Sequence, residues 1–343
     1  MGWDGSGSGS LHVGLLGAGR IAGVHAETLA RSPAVGRVTV YDPVAGAARE
    51  LADRFRAGTA ASVDELLGTV DAAVVASSTS THAGLVRGAA AAGVPVFCEK
   101  PVALDLESTD AVLADVAAAG VELQVGFQRR FDPGYLAARA AIAGGGVGRV
   151  LLVRANAYDH VPPPPGYLKG SGGIHADMVV HDFDVVRWLT GREVAEVYAT
   201  GAALTGGAFA EHDDVDTSVV VLTLDDGTPV ALTASRSDPV GYDHRLEVLG
   251  TGDSLAVGLD DRTPVHPVGP GALAPTSRPY AGFIDRFRAA YRAEMEAFVR
   301  LAGGRGPNRC TGADAREAMA VALAASRSLQ ERRPVALEEV SVR

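Results

Sequence analysis

The sequence predicts an α/β fold in two parts: a parallel-sheet domain, then an α+β domain dominated by one large, open, mainly antiparallel sheet. Two observations predict it. From Leu11 to about Gln128, short apolar runs alternate with helix-like stretches, the rhythm of βαβ units. Beyond "RRFDPGY" (Arg129–Tyr135) the rhythm changes to strand-like runs joined by turns such as "DDG" (Asp225–Gly227), which reads as antiparallel pairing.

The elements follow in order. "LHVGLL" is an apolar strand, "GAGRIAG" a glycine-rich turn and "VHAETLARS" a helix. "GRVTVYD" and "VDAAVVAS" are the next two strands, with the helix "AGAARELADRF" between them. The helix "HAGLVRGAAAAG" leads to the strand "VPVFCEK", and "LESTDAVLADVAAAG" to "VELQVGFQ". In the second part, "YLAARAAIAGG" is a helix and "GRVLLVRANAYD" a strand. "PPPPG" is a loop. One helix lies around Met178–Leu189, and four strand-like runs follow: "EVAEVYATGA", "DTSVVVLTLDDG", "TPVALTASRS" and "HRLEVLGTGDSLAVGL". Two helices close the chain near Phe283–Leu301 and Ala313–Gln330. The reading divides the chain into a flexible tail (1–10, "MGWDGSGSGS"), a first domain (11–130) and a second domain (131–343).

Composition narrows the function. A length of 343 residues suits two domains, each with its own core. The net charge of −10 argues against nucleic acid as a partner, because phosphate binding needs clustered Lys and Arg. No apolar stretch is long enough to span a bilayer, and the N-terminus has neither the basic nor the apolar region of a signal peptide. The two cysteines, Cys98 and Cys310, have no metal-ligand spacing, so the expected setting is a reducing cytoplasm.

Gly17-Ala18-Gly19-Arg20-Ile21-Ala22 fits G-x-G-x-x-G/A, follows a strand and opens a helix; Asp42 comes 20 residues after Ala22, at the end of the second strand. That context makes the first part a Rossmann dinucleotide-binding domain. Gly17 allows the tight turn, Gly19 admits the pyrophosphate, and Ala22 keeps helix and strand close. The backbone from Arg20 and Ile21 onward offers N–H groups to phosphate. A carboxylate at Asp42 accepts from both ribose hydroxyls and repels a 2′-phosphate, so NAD is expected rather than NADP. Ser77, Thr79 and His82, in the run after the third strand, and Glu99, at the end of the fourth, are counted with the cofactor contacts. The plainer alternatives are helix capping for the hydroxyls and a structural role for His82.

Lys100 ends the fourth strand before Pro101, on the side of a parallel sheet where ligands bind. "GGIHADMVVHDFD" (Gly172–Asp184) is the other candidate. On a regular α-helix Asp177, His181, Asp184 and Trp188 form one stripe, while His175 and Asp182 point elsewhere. Two ligands do not make a catalytic zinc site, so no metal is expected. A histidine has an ordinary pKa of about 6.5 and can take a proton from an alcohol near neutral pH. Lys100 can stabilise the resulting alkoxide, and Asp177 can hold the imidazole.

Together, "GLLGAGRIAGVHAETL", "VFCEKPVALD", "VGFQRRFDPGY" and "GGIHADMVVHDFDVVRWL" resemble the glucose–fructose oxidoreductase/inositol dehydrogenase family, and within it the bacterial inositol 2-dehydrogenases. The resemblance runs from about Leu11 to Pro334. It implies NAD-dependent oxidation of a secondary alcohol on a cyclitol, first of all myo-inositol to 2-keto-myo-inositol (scyllo-inosose). Alternatives are scyllo-inositol, an aminocyclitol or a pyranose sugar, or a non-catalytic NAD-binding regulator. It further implies Lys100 at substrate and nicotinamide, His181 as general base, Asp177 as its support, and Tyr242 and Arg129 (of the Arg129–Arg130 pair) at the polyol. Ser78 departs from the proline common in the family after the third strand. The open sheet and the family likeness imply a homo-oligomer, a tetramer or dimer.

Overall fold

A computed structural model describes residues 10–272 and 274–341; apart from Ser10, the expected tail lies outside the described residues. The chain divides into two units. One comprises Met1–Phe131 and Ala289–Arg316, the other Asp132–Arg288 and Glu317–Arg343.

The first unit holds six parallel strands: β1 (Leu11–Leu16), β2 (Val35–Tyr41), β3 (Gly58–Thr59), β4 (Ala72–Val75), β5 (Val96–Glu99) and β6 (Leu123–Gly126). Their order is β3-β2-β1-β4-β5-β6, the doubly wound arrangement whose strand order reverses beside β1. β4, β5 and β6 are buried at every residue, as strands covered on both faces are. The helices on these faces are α1 (Arg20–Arg31), α2 (Ala45–Phe55), α3 (Val63–Leu67), α4 (Thr79–Ala91) and α5 (Leu106–Ala119). Local chemistry sets their starts: Ser62 caps α3 by accepting from Glu65 N, and Asp105 caps α5 by accepting from Ser108 N.

A single boundary after residue 130 does not describe this path. The helix Phe283–Ala302 places Met295, Phe298 and Val299 in one core with Leu15, Leu29 and Phe97 of the first unit. Val125 N then donates to Cys310 O at 2.9 Å, fastening the returning segment to β6. Helical periodicity shows which face of such a helix is apolar, but not which sheet will cover it.

The second unit is built on seven strands: β7 (Val150–Tyr158), β8 (Val194–Ala202), β9 (Thr217–Leu224), β10 (Pro229–Ser235), β11 (Asp243–Gly250), β12 (Ser254–Val257) and β13 (Val335–Ala336), in the order β12-β11-β7-β10-β9-β8-β13. All neighbours are antiparallel except β7 and β10, which run parallel. The strands alternate. Val153, Ala155, Val230, Leu232, Val220 and Leu222 are buried on one face, whereas Tyr198, Val219 and Val221 are exposed. The helices α6 (Pro133–Ala143), α7 (Pro165–Leu168) and α8 (Val180–Thr190) belong to this unit, and α8 packs against β7.

One local departure matters for the site. His175–Val179 is a π-turn that leads directly into α8. Its hydrogen bonds span five residues, so Asp177 does not lie on a regular α-helical stripe.

Candidate active site

In the first unit, the candidate residues lie on loops that leave the carboxyl ends of the strands. Gly17 N donates to Tyr41 O and Ala76 N to Leu16 O, both at 2.8 Å, so the glycine turn is bound to the ends of β2 and β4. Gly17 has φ +112°, and a Cβ there would stand 2.5 Å from Ala76 O. Only glycine fits. At Gly19 a Cβ would meet nothing within 4 Å, and no side chain caps the helix that starts there. The turn therefore combines a tight inner side with an open outer side at a helix N-terminus, as a pyrophosphate requires. Asp42 is held in place: Oδ2 accepts from Ala18 N at 2.9 Å and Oδ1 from Val44 N at 2.8 Å.

Thr79 opens α4. Ser77 Oγ and Thr81 Oγ1 share a hydrogen bond of 2.7 Å. His82 is buried, with Nδ1 at 2.8 Å from Pro101 O and Nε2 at 3.2 Å from Ser77 O. It braces the Ser77 turn against the segment that follows Lys100. Glu99 is buried as well, and its Oε1 is 2.7 Å from Nε2 of His25, a fully buried histidine on α1. His25 was not singled out from the sequence; its place in "GVHAETL", in the second turn of α1, was the available signal. Lys100, at the end of β5, is half-buried. Arg129 and Arg130 are both buried in the 3₁₀ turn Gln128–Phe131. Arg130 pairs with Asp314 at 3.1 Å and donates to Arg309 O, an anchor within this unit.

In the second unit, Asp177 is gripped on both oxygens. Tyr167 OH donates to Oδ1 at 2.8 Å and Arg236 Nη1 to Oδ2 at 2.9 Å. Tyr167, Arg236 and Asp159, which is 3.5 Å from Arg236 Nη1, went unnoticed in the sequence. They are distant in the chain, and only the register of β7 with β10 brings two of them together. His181 is half-buried, on the first turn of α8. Tyr242 is 5 % exposed and stacked on His244, with ring centroids 4.2 Å apart. His175 lies between Ser218 Oγ (3.0 Å) and Ser326 Oγ (3.2 Å). Burial, then the charge of Arg236, pushes its pKa down to about 4, so it is neutral at pH 7. Among the described residues, no group of three or more His, Cys, Asp or Glu side chains is placed to hold a metal ion.

These features can be set beside known proteins. Residues 11–127 match the GFO/IDH/MocA model described as an oxidoreductase family with an NAD-binding Rossmann fold, and residues 135–256 match the GFO/IDH/MocA C-terminal domain. This chain belongs to the Gfo/Idh/MocA oxidoreductase family. Within it, the chain is 42% identical over 324 residues to the myo-inositol dehydrogenase Hyg17 of Streptomyces leeuwenhoekii, a match covering 93% of this chain and 97% of that protein. The solved structure of a myo-inositol dehydrogenase from Corynebacterium glutamicum superposes with a TM-score of 0.87 at 34% identity, covering 96% of this chain and 99% of that one. A scyllo-inositol dehydrogenase from Lactobacillus casei, solved with NAD(H) and scyllo-inositol bound, gives a TM-score of 0.86 at 25% identity, over 96% and 99% of the chains. The chain is an oxidoreductase and its cofactor is NAD. No helix among the described residues is long and apolar enough to cross a membrane.

Proposed function

We propose that this protein oxidises a secondary hydroxyl of a cyclitol, first of all myo-inositol to 2-keto-myo-inositol (scyllo-inosose). The observation that carries the reading is Asp177, gripped on both oxygens and four residues before His181, in a chain whose nucleotide unit places Lys100 directly after a strand. The Gly17–Ala22 turn and Asp42 suit NAD, which when bound accepts the hydride. Gly17, Gly19, Arg20, Ile21, Ala22 and Asp42 hold the dinucleotide, with Ser77, Thr79, His82 and Glu99 shaping its surroundings. His181 takes the hydroxyl proton, Asp177 supports the imidazolium that forms, and Lys100 stabilises the alkoxide. Arg129 and Tyr242 are the further substrate contacts.

The kinship with enzymes named for myo- and scyllo-inositol supports the substrate class and leaves the stereoisomer to the assay. The test is NAD reduction with a panel of myo-inositol, scyllo-inositol, aminocyclitols and pyranoses. Turnover is expected on myo-inositol, with loss of about 100-fold or more in Lys100→Ala and His181→Ala. Preferred turnover on another polyol would move the substrate within the class. NAD binding with no turnover on any alcohol would favour a non-catalytic regulator.

We further infer a homo-oligomer, dimer or tetramer, formed through the outer sheet face that bears Tyr198, Val219 and Val221. A cytoplasmic setting fits a chain with only two cysteines, Cys98 and Cys310, both buried.

A further inference from the structure

Asp177 does not hold its own position. It sits in the π-turn and reaches across to a cation planted on the sheet. Ser235 ends β10 opposite Tyr158 of β7, so Arg236 and Asp159 leave adjacent parallel strands side by side. Their backbones are fixed: Arg236 N donates to Asp216 O at 2.8 Å, Asp159 N to Ser235 O at 2.9 Å, and Asp238 N to Asp159 O at 2.7 Å. The Arg236 side chain is only 3 % exposed. Burial opposes its charge, but Asp177, then Asp159, and more weakly Asp214 outweigh that penalty, so its pKa is raised. A guanidinium does not discharge in a protein, so the carboxylates must arrange themselves around it. Nε and Nη2 of Arg236 have no hydrogen-bond partner in the described chain, which leaves the anchoring to Nη1 and its charge.

We propose that Arg236 is a positioning residue: its Nη1 keeps Asp177 ionised and fixes the carboxylate, and through it the His181 turn, in the orientation the oxidation needs. This rests on the assignment of Asp177 and His181 above. The groups facing the pair are Tyr167 from α7, Asp159 from the end of β7, and Asp214 and His175 behind Arg236; His244 Nε2 stands 4.0 Å from Asp159. His175 stays neutral above about pH 4, so it adds no charge in the working range. Without Arg236, Asp177 and Asp159 would lose the cation that both face, and losing a neighbouring positive charge raises a carboxylate pKa.

The experiment compares wild type, Arg236→Gln, Arg236→Lys and Asp177→Asn. In Arg236→Gln, kcat is expected to fall about 100-fold, the scale of a displaced catalytic group. The acid limb of the kcat/KM profile is expected to rise by about one pH unit. NADH binding, read by fluorescence, is expected to stay unchanged. Arg236→Lys keeps a charge at the anchor and should recover much of the rate and return the limb. Rate loss with an unmoved limb, or no rate loss, overturns the proposal. A readout independent of turnover is the titration of ¹³C-labelled Asp carboxyls, with the Asp177 signal identified as the one lost in Asp177→Asn. That signal should titrate at higher pH in Arg236→Gln; an unchanged titration overturns the proposal even if wild type oxidises no cyclitol, an outcome that would sink the functional reading separately. If Arg236→Gln does not fold, Arg236→Met, which keeps the buried stem without the charge, decides: rate, limb and titration all at wild-type values would show that a cation at Asp177 does not matter.

Discussion

His25 and Glu99 meet inside the nucleotide-binding unit, with Nε2 2.7 Å from Oε1, one residue before Lys100 in the chain. The imidazole is fully buried and packs edge-on against Phe97 and Tyr291. The pair therefore couples the helix that starts at the cofactor turn to the strand that delivers Lys100. Removing one partner of a buried hydrogen-bonded pair leaves the other unsatisfied and costs about 2 kcal/mol. His25→Ala should lose roughly that in urea unfolding, while Glu99→Gln, which keeps a hydrogen bond, should lose less. Both should lower kcat through Lys100. If His25→Ala unfolds at the wild-type midpoint with wild-type turnover, the coupling has no energetic weight.

We propose Asp42 as the cofactor discriminator. Its carboxylate already accepts from Ala18 N and Val44 N, which fixes its oxygens at the end of β2. A 2′-phosphate brought to this place meets a negative charge, and Pro43 and Val44 supply no cation. Asp42→Ser should weaken NAD and relieve the repulsion of NADP together, shifting the ratio of kcat/KM values toward NADP by roughly tenfold or more. Steady-state kinetics with both cofactors checks this. A ratio that does not move would remove Asp42 from the discrimination.

His175 makes the second unit sensitive to acid. Unfolded, its imidazole binds a proton below about pH 6.5. Folded, it refuses the proton until about pH 4, because it is buried and faces Arg236. The unfolded state thus binds more protons between these values, and stability falls as pH drops through that window. The loss at pH 5 relative to pH 7.5 should be about 2 kcal/mol from this group. His175→Gln can still bond Ser218 and has nothing to titrate, so its unfolding free energy should change less between the two pH values. Parallel slopes for the two proteins would show that His175 is not the acid-sensitive group.

Much of the first unit was legible because each feature is local. Gly17, Gly19 and Ala22 fall within six residues, Asp42 one strand later, and Lys100 at a strand end marked by Pro101. β3 was not legible, since its two residues carry no periodicity. The return of Ala289–Arg316 to the first unit was hidden for a different reason: an amphipathic helix announces a buried face but not its partner. At the site, the sequence shows only that Asp177 and His181 lie four residues apart. The π-turn that carries Asp177, and the grip of Arg236 and Tyr167 on it, arise from strand register and loop path. No spacing in the chain encodes them.

The outer face of the second sheet supports the last prediction. Tyr198 lies opposite Val221 in the β8–β9 register, and both are exposed, at 40% and 42%. Val219, two residues along β9, is 43% exposed. At the far side of the same sheet Arg154 pairs with Glu247 across β7 and β11. An apolar patch bordered by charge on an exposed sheet face suits pairing with a copy of itself about a two-fold axis. Val221→Asp puts a carboxylate at the middle of the patch and, by symmetry, sets two like charges near each other. Because Val221 contributes little to the core, the protomer should keep its helix and strand content, while light scattering should report a smaller assembly than wild type. A wild type that is monomeric at micromolar concentration, or a variant of unchanged mass, would remove this face as the interface.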